Sequence, residues 1–69
     1  MKIQVTYFDT EGRYKPVASI IEPPSSYHFT KNKEYWLQRA RILIRAKRNW
    51  TEKEMEKFGY TEYKCMIVK

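Results

Sequence analysis

The sequence predicts an α+β fold with element order β-β-α-α-β, in which a long basic helix packs on one face of a three-stranded antiparallel sheet of order 2-1-3. Two patterns predict this fold: alternating apolar and polar residues near the N-terminus, and a helical repeat of apolar residues in the middle. The chain has 69 residues, of which 42% are hydrophobic and 16% aromatic. This composition suits a single small domain over residues 1–69, with little material left for a deep substrate cavity.

The N-terminal third is predicted to form a β-hairpin. Apolar and polar residues alternate over residues 2–8, which is typical of a half-buried strand. A polar stretch around Gly12 follows, and a second strand is predicted over residues 14–21. Because Pro16 has no N–H to donate to the sheet, the regular part of this strand is expected over Val17–Ile21.

A connector and a long helix come next. Pro23 and Pro24 end the second strand, because proline cannot donate a ladder hydrogen bond and restricts the residue before it. From about residue 32 to residue 49 the apolar residues fall near one side of a helix centred on Trp36. The residues of this side are Trp36, Ala40, Leu43, Ile44 and Trp50.

The last third predicts a short helix and a returning strand. Thr51 stands three residues before Glu54, which is the spacing of a capping box at a helix start. Gly59 is suited to end that helix, because glycine adopts the left-handed conformation readily. Residues 63–68 are rich in apolar and β-branched residues and predict a third strand, which we expect to pair beside the first.

The net charge of the chain is concentrated in one segment. There are 14 Lys and Arg against 8 Asp and Glu, a net charge of +6. Residues 31–50 contain seven basic residues and one acidic residue, which accounts for all of it, and the other residues balance at seven of each sign. A local excess of this kind produces a directed positive field, so the sequence points to an anionic partner.

Three arginines of the long helix are predicted to form one exposed stripe that binds nucleic acid. On a helical projection with Trp36 at zero, Arg41, Arg45 and Arg48 lie at about 140°, 180° and 120°. Guanidinium groups repeated about once per turn suit backbone phosphates. The remaining residues of the candidate site are Arg39, Lys47, Lys31 and Lys33, which add positive charge, and Gln38 and Asn49, which could reach base edges.

Other interpretations of the same segment remain open. A charged helix face can simply be solvated, or it can dock on an acidic protein, as in an inhibitor or adaptor. The apolar arc from Ile42 round to Leu37 is wider than one sheet face requires, which allows either a homodimer or a core wrapped by residues 23–29 and the second helix. A helix-turn-helix over residues 32–58 is a further alternative, although the junction lacks the usual glycine-bearing turn.

Aromatic residues in the loops suggest how a single strand could be held. Tyr27 and Phe29 lie outside the periodic segments, so we expect their rings to be the most exposed. An exposed ring beside basic residues can stack on an unpaired base.

The sequence argues against catalysis, metal binding and a cofactor. The chain has one histidine, His28, and one cysteine, Cys65, which are far apart in sequence. Its two glycines, Gly12 and Gly59, are too few for a phosphate-binding loop. A lone cysteine in so small a domain indicates a reducing, cytoplasmic setting. The longest apolar run is Cys65-Met66-Ile67-Val68, far too short for a membrane span.

Overall fold

The computed structural model describes residues 1–68 and has the predicted α+β architecture, an open antiparallel sheet of strand order β2-β1-β3 covered by helices. The elements in chain order are β1 (Lys2–Asp9), β2 (Val17–Ile21), α1 (Ser26–Lys31), α2 (Lys33–Arg48), α3 (Glu52–Lys57) and β3 (Tyr60–Val68). The predicted boundaries of β1, of the regular part of β2 and of the long helix agree with these to within about two residues.

The central strand β1 carries the core of the molecule. Val5 lies opposite Ser19 of β2 on one side and Cys65 of β3 on the other. Alternate residues of β1, including Ile3, Val5 and Tyr7, are buried beneath the helices. The alternation in the sequence therefore correctly separates the residues on the buried face of β1 from those on its outer face.

Two segments differ from the sequence prediction. The expected connector after the prolines contains α1, which begins because the Ser25 hydroxyl accepts a hydrogen bond from the His28 N–H and caps the first turn. The third strand begins at Tyr60 instead of residue 63. Gly59, at φ 79°, turns the chain directly from α3 into the sheet, and the buried Tyr60 side chain anchors the start of the strand.

Helix α2 packs against β2 through a small side chain, Ala40. Ala40 and Ile44 are fully buried, whereas Trp36 is only half-buried. The Ser19 hydroxyl donates to the Ala40 carbonyl oxygen at 3.1 Å, so the helix backbone lies close to the strand. Asn49, in the left-handed conformation at φ 59°, ends the helix.

The turn at one end of the sheet is organised by a buried carboxylate. Asp9 accepts hydrogen bonds from the backbone N–H groups of Glu11, Arg13 and Tyr14. Burial raises the pKa of Asp9, but these three donors and the charge of Arg13 outweigh it and hold that pKa below its usual value. Gly59 packs directly against this carboxylate, leaving no room for a side chain.

The short helix α3 begins as the sequence predicts. Thr51 and Glu54 form a complete capping box, with the Thr51 hydroxyl accepting from the Glu54 N–H and the Glu54 carboxylate accepting from the Thr51 N–H. Met55 is fully buried and ties the helix to the core. In the described part of the chain, no helix combines the length and the apolar character that crossing a bilayer requires.

Candidate nucleic-acid interface

Arg41 is held inside the molecule by α3 and the sheet. Its Nη2 donates to Oε1 of Glu52 at 2.8 Å and its Nη1 donates to the Tyr60 carbonyl oxygen at 3.1 Å. The guanidinium also lies 5.1 Å from the centre of the Tyr7 ring, and only 11% of the side chain is exposed. Burial raises the pKa of Tyr7, although the neighbouring Arg41 charge opposes this shift. Arg41 therefore joins α2, α3 and the sheet.

Arg45 is drawn to the same carboxylate. Its Nε lies 3.2 Å from Oε2 of Glu52, close enough for an ion pair but without hydrogen-bond geometry. Its side chain is 23% exposed. Glu52 thus bridges two arginines, and we call Arg41, Arg45 and Glu52 the arginine clamp.

The predicted stripe of three exposed arginines is consequently not present as one surface. The buried side of α2 is centred between Ala40 and Ile44, about 60° from Trp36, which brings Arg41 to the flank of the core. Helix α3 then packs beside that flank and covers it. Of the three arginines, Arg48 is the exposed one, and its guanidinium lies 5.3 Å from the centre of the Trp50 ring.

The side of α2 that lies across the helix from the arginine clamp carries basic residues that remain exposed. Tyr35, Arg39, Leu43 and Lys47 follow each other at intervals of four residues, and all four are exposed. We call this row the open stripe. It borders two adjoining grooves of about 610 and 560 Å³ between α2 and the outer edge of β2, with Ile20 in the wall of both. The open stripe alternates apolar or aromatic contact area with positive charge.

Two more candidate residues lie near the start of α2 beside aromatic rings. The Lys31 Nζ is 5.7 Å from the Tyr27 ring centre, and the Lys33 Nζ is 5.6 Å from that of Tyr63. Tyr27 is 66% exposed, as predicted. The prediction for Phe29 was wrong, because its ring packs against the core from α1, a helix that the sequence did not reveal.

The structure also shows where the polar candidate residues, Gln38 and Asn49, and the wide apolar arc of α2 lie. Gln38 is exposed and borders a groove of about 470 Å³ together with Arg41 and Glu52. Asn49 is exposed but serves as the C-cap of α2. The wide apolar arc is real, since Tyr35 and Ile42, as well as Leu43, remain exposed.

Helix α3 offers little to a helix-turn-helix mode of binding. It is only six residues long, and three of these are glutamates: Glu52, Glu54 and Glu56. Glu52 is occupied by the arginine clamp, and the other two carboxylates are exposed and would repel a phosphate backbone.

The histidine and the cysteine, whose side chains could take part in catalysis or metal binding, have the following positions in the structure. The His28 Nδ1 lies 2.8 Å from the Ser25 hydroxyl oxygen at the start of α1. Cys65 is half-buried in β3 as a free thiol, and burial raises its pKa. Within residues 1–68, no three side chains of the His, Cys, Asp and Glu types come together as metal ligands would.

Comparison with known proteins gives no relative. The chain matches no family model, and no curated protein or solved structure is significantly similar to it.

Proposed function

We propose that this protein is a non-catalytic nucleic-acid-binding accessory or regulatory protein that contacts phosphates through the exposed basic residues of α1 and α2. The proposal is supported by the exposure and the ion pairing of the seven basic residues between positions 31 and 50. Two of them belong to the arginine clamp, and the other five are exposed without an ion pair among residues 1–68. Those five are Lys31, Lys33, Arg39, Lys47 and Arg48. Within residues 31–50 the one acidic residue is Glu34, which is exposed, and in space Glu22 lines the groove beside Arg39 and forms an ion pair with Lys2.

The aromatic neighbours of these residues favour a single-stranded ligand. Tyr27 stands beside Lys31, and Tyr35 borders the same groove as Arg39. Both rings are more than half exposed, at 66% and 60%. A ring next to a cation can stack on an unpaired base while the cation contacts the adjacent phosphate, at roughly 1–3 kcal/mol per stacked base.

Titration against single- and double-stranded DNA and RNA at several salt concentrations tests the proposal. Three to four phosphate contacts predict that the logarithm of the association constant falls against the logarithm of salt concentration with a slope of about −2 to −4. We expect the single-stranded forms to bind more tightly. Absence of binding at low salt would exclude the proposal.

A pair of matched double variants locates the footprint. Arg39→Gln with Lys47→Gln removes both cations of the open stripe, whereas Lys53→Gln with Lys57→Gln removes two exposed cations of α3. Both variants lower the net charge by the same amount. We expect the first to weaken binding and flatten the salt slope by about 2, and the second to have a much smaller effect. Equal effects would mean that only total charge matters.

One observation favours a second function, docking on an acidic protein. Ile20 and Leu43 line both grooves beside the open stripe; Arg39 and Glu22 also line the first groove, and Lys47 lines the second. Such a surface complements a segment with apolar and acidic residues. A pull-down from nuclease-treated lysate separates the two functions: a defined protein retained by the wild type but not by the Arg39→Gln, Lys47→Gln variant would favour the protein partner.

A reducing, cytoplasmic location is part of the proposal. The single cysteine, Cys65, is a free thiol, and small domains in oxidising compartments usually depend on several disulfides. In this protein the capping box of α3, the Asp9 turn and the arginine clamp fix the short elements without a disulfide.

A further inference from the structure

The two edges of the sheet differ in how well they are protected against pairing with another strand. The β2 edge strand is five residues long, lies between Pro16 and Pro23, and has α2 packed on one of its faces. Short length and nearby proline are usual means of blocking an edge strand. The β3 edge is nine residues long and contains neither proline nor glycine.

The β3 strand also exposes apolar side chains on both of its faces. Tyr63 and Ile67 lie opposite Tyr7 and Ile3 of β1, and so belong to the face that the helices cover elsewhere. They nevertheless remain 41% and 62% exposed, because α2 packs over β2. On the other face, Met66 is 60% exposed. Exposed apolar residues along an open edge mark a site of strand pairing.

The distribution of charge indicates which partner this edge suits. The strand Tyr60–Val68 carries one acidic residue, Glu62, and one basic residue, Lys64, so it is neutral. The net charge of +6 lies instead on residues 31–50. Two copies of this chain would repel each other along most of α2. Among its basic residues, Lys33 lies against β3, with its Nζ 5.6 Å from the centre of the Tyr63 ring. Approach through β3 therefore brings positive charge from α2 near the interface, but less of it than approach through the open stripe.

We propose that two copies of the chain pair antiparallel through β3, about a two-fold axis at Cys65, to form one continuous six-stranded sheet. In this register Tyr63 lies opposite the partner's Ile67, and Lys64 lies opposite the partner's Met66. Aromatic and β-branched residues form favourable cross-strand pairs, and a lysine stem can cover a methionine. This dimer goes beyond the proposed function and applies equally to a nucleic-acid or a protein ligand.

Two registers nearer the start of the strand fit less well. An axis at Lys64 would place Lys64 opposite the partner's Lys64, which is unfavourable. An axis at Tyr63 would leave Ile67 beyond the new ladder. It would also include the irregularity opposite Phe8 and Asp9, where the pairing of β3 shifts. The axis at Cys65 uses only the regular part of the strand.

Sedimentation of the full chain over about a hundredfold range of concentration tests the dimer. We expect the mass to approach twice the monomer mass of 8.5 kDa. Ile67→Asp places a charge in the new ladder and should leave a folded monomer, because Ile67 is exposed in one copy. Ile42→Asp, an equivalent change at an exposed position of α2, should leave the dimer intact. A monomer at every concentration, or equal effects of the two variants, would refute the pairing.

Oxidation tests the register. Opposed cysteines of an antiparallel pair are within reach of a disulfide, so Cys65 should crosslink to the partner's Cys65. The reaction is run with copper-phenanthroline at alkaline pH, because burial raises the pKa of the thiol. Cys65→Ser should sediment as a dimer and fail to crosslink. A dimer without a Cys65 crosslink, or a crosslink equally fast in Ile67→Asp, would overturn the proposed register.

Discussion

The two sides of α2 bear the same kinds of residue but use them differently. On the closed side, Arg41 and Arg45 are bridged by Glu52 and serve to attach α3. On the open side, Arg39 and Lys47 border grooves and have no ion-pair partner within residues 1–68. The difference comes from a third element, since α3 supplies a carboxylate to one side only. Basic residues on one helix therefore cannot be assigned a common role from their spacing alone.

The largest loss of stability from a single change is expected at the turn that leads from α3, the helix attached to the closed side, into β3. In Gly59→Ala, the new Cβ would lie 2.6 Å from Oδ1 of Asp9 at a φ of +79°. Strain and the displaced carboxylate together should cost about 2–4 kcal/mol of unfolding free energy, measured by urea denaturation. Gly12→Ala is the control, because its φ is similar at +69° but nothing lies within 4 Å. It should cost about 1 kcal/mol. Equal losses would mean that backbone conformation alone explains the glycine.

The next largest loss of stability is expected when Arg41, the central residue of the arginine clamp, is replaced. Arg41→Gln loses the contacts with Glu52 and the Tyr60 carbonyl and leaves Glu52 with Arg45 alone. We expect a loss of about 2 kcal/mol of unfolding free energy. Arg39→Gln makes the same chemical change on the open side and should alter stability by less than about 0.5 kcal/mol. The reverse order would show that the two sides were assigned wrongly.

Much of the fold could be predicted because its signals are local. The alternation in β1, the prolines around β2 and the capping box at Thr51 each act within a few residues, and all three are present in the structure. Helix α1 escaped prediction because six residues are too few to show a helical repeat. The signal that could have revealed it is Ser25, a good N-cap directly after two prolines.

The site was harder to predict because it depends on contacts between distant residues. The projection centred on Trp36 placed Arg41 in solvent, whereas burial of Ala40 and Ile44 rotates it toward the sheet. In the sequence, Glu52 indicates only a favourable charge at the start of a helix. Its pairing with Arg41, eleven positions away, depends on how α3 packs after the turn at Asn49, which no local pattern encodes.

The stability of the folded protein should also depend on pH through Asp9, the carboxylate against which Gly59 packs. Its pKa in the folded protein is lowered from 3.8, so ionised Asp9 contributes stability that is present above about pH 4 and is lost as the pH falls through the lowered value. Urea denaturation as a function of pH should show this decline. In Asp9→Asn the protein should be less stable at pH 7 and lose less stability in acid. An unchanged acid profile would contradict the role of this carboxylate.

Releasing the arginine clamp should have opposite effects on stability and on binding. Glu52→Gln removes the charge that holds Arg41 and Arg45, and because Glu52 is 41% exposed we expect a loss of only about 1 kcal/mol. The same change raises the net charge from +6 by one unit and releases Arg45 from its ion pair, while Arg41 keeps its hydrogen bond to the Tyr60 carbonyl oxygen. Affinity for single-stranded nucleic acid at low salt should rise, by about twofold to fivefold.

Glu56→Gln is the matched control for this last effect. Glu56 is an exposed residue of α3 that borders the same groove as Arg41, and it forms no ion pair within residues 1–68. The variant adds the same charge without freeing an arginine, so stability should not change and affinity should rise less. If both variants raise the affinity equally, the gain comes from net charge and the clamp does not restrain binding. If only Glu52→Gln raises it, the closed side is a binding surface that Glu52 keeps covered.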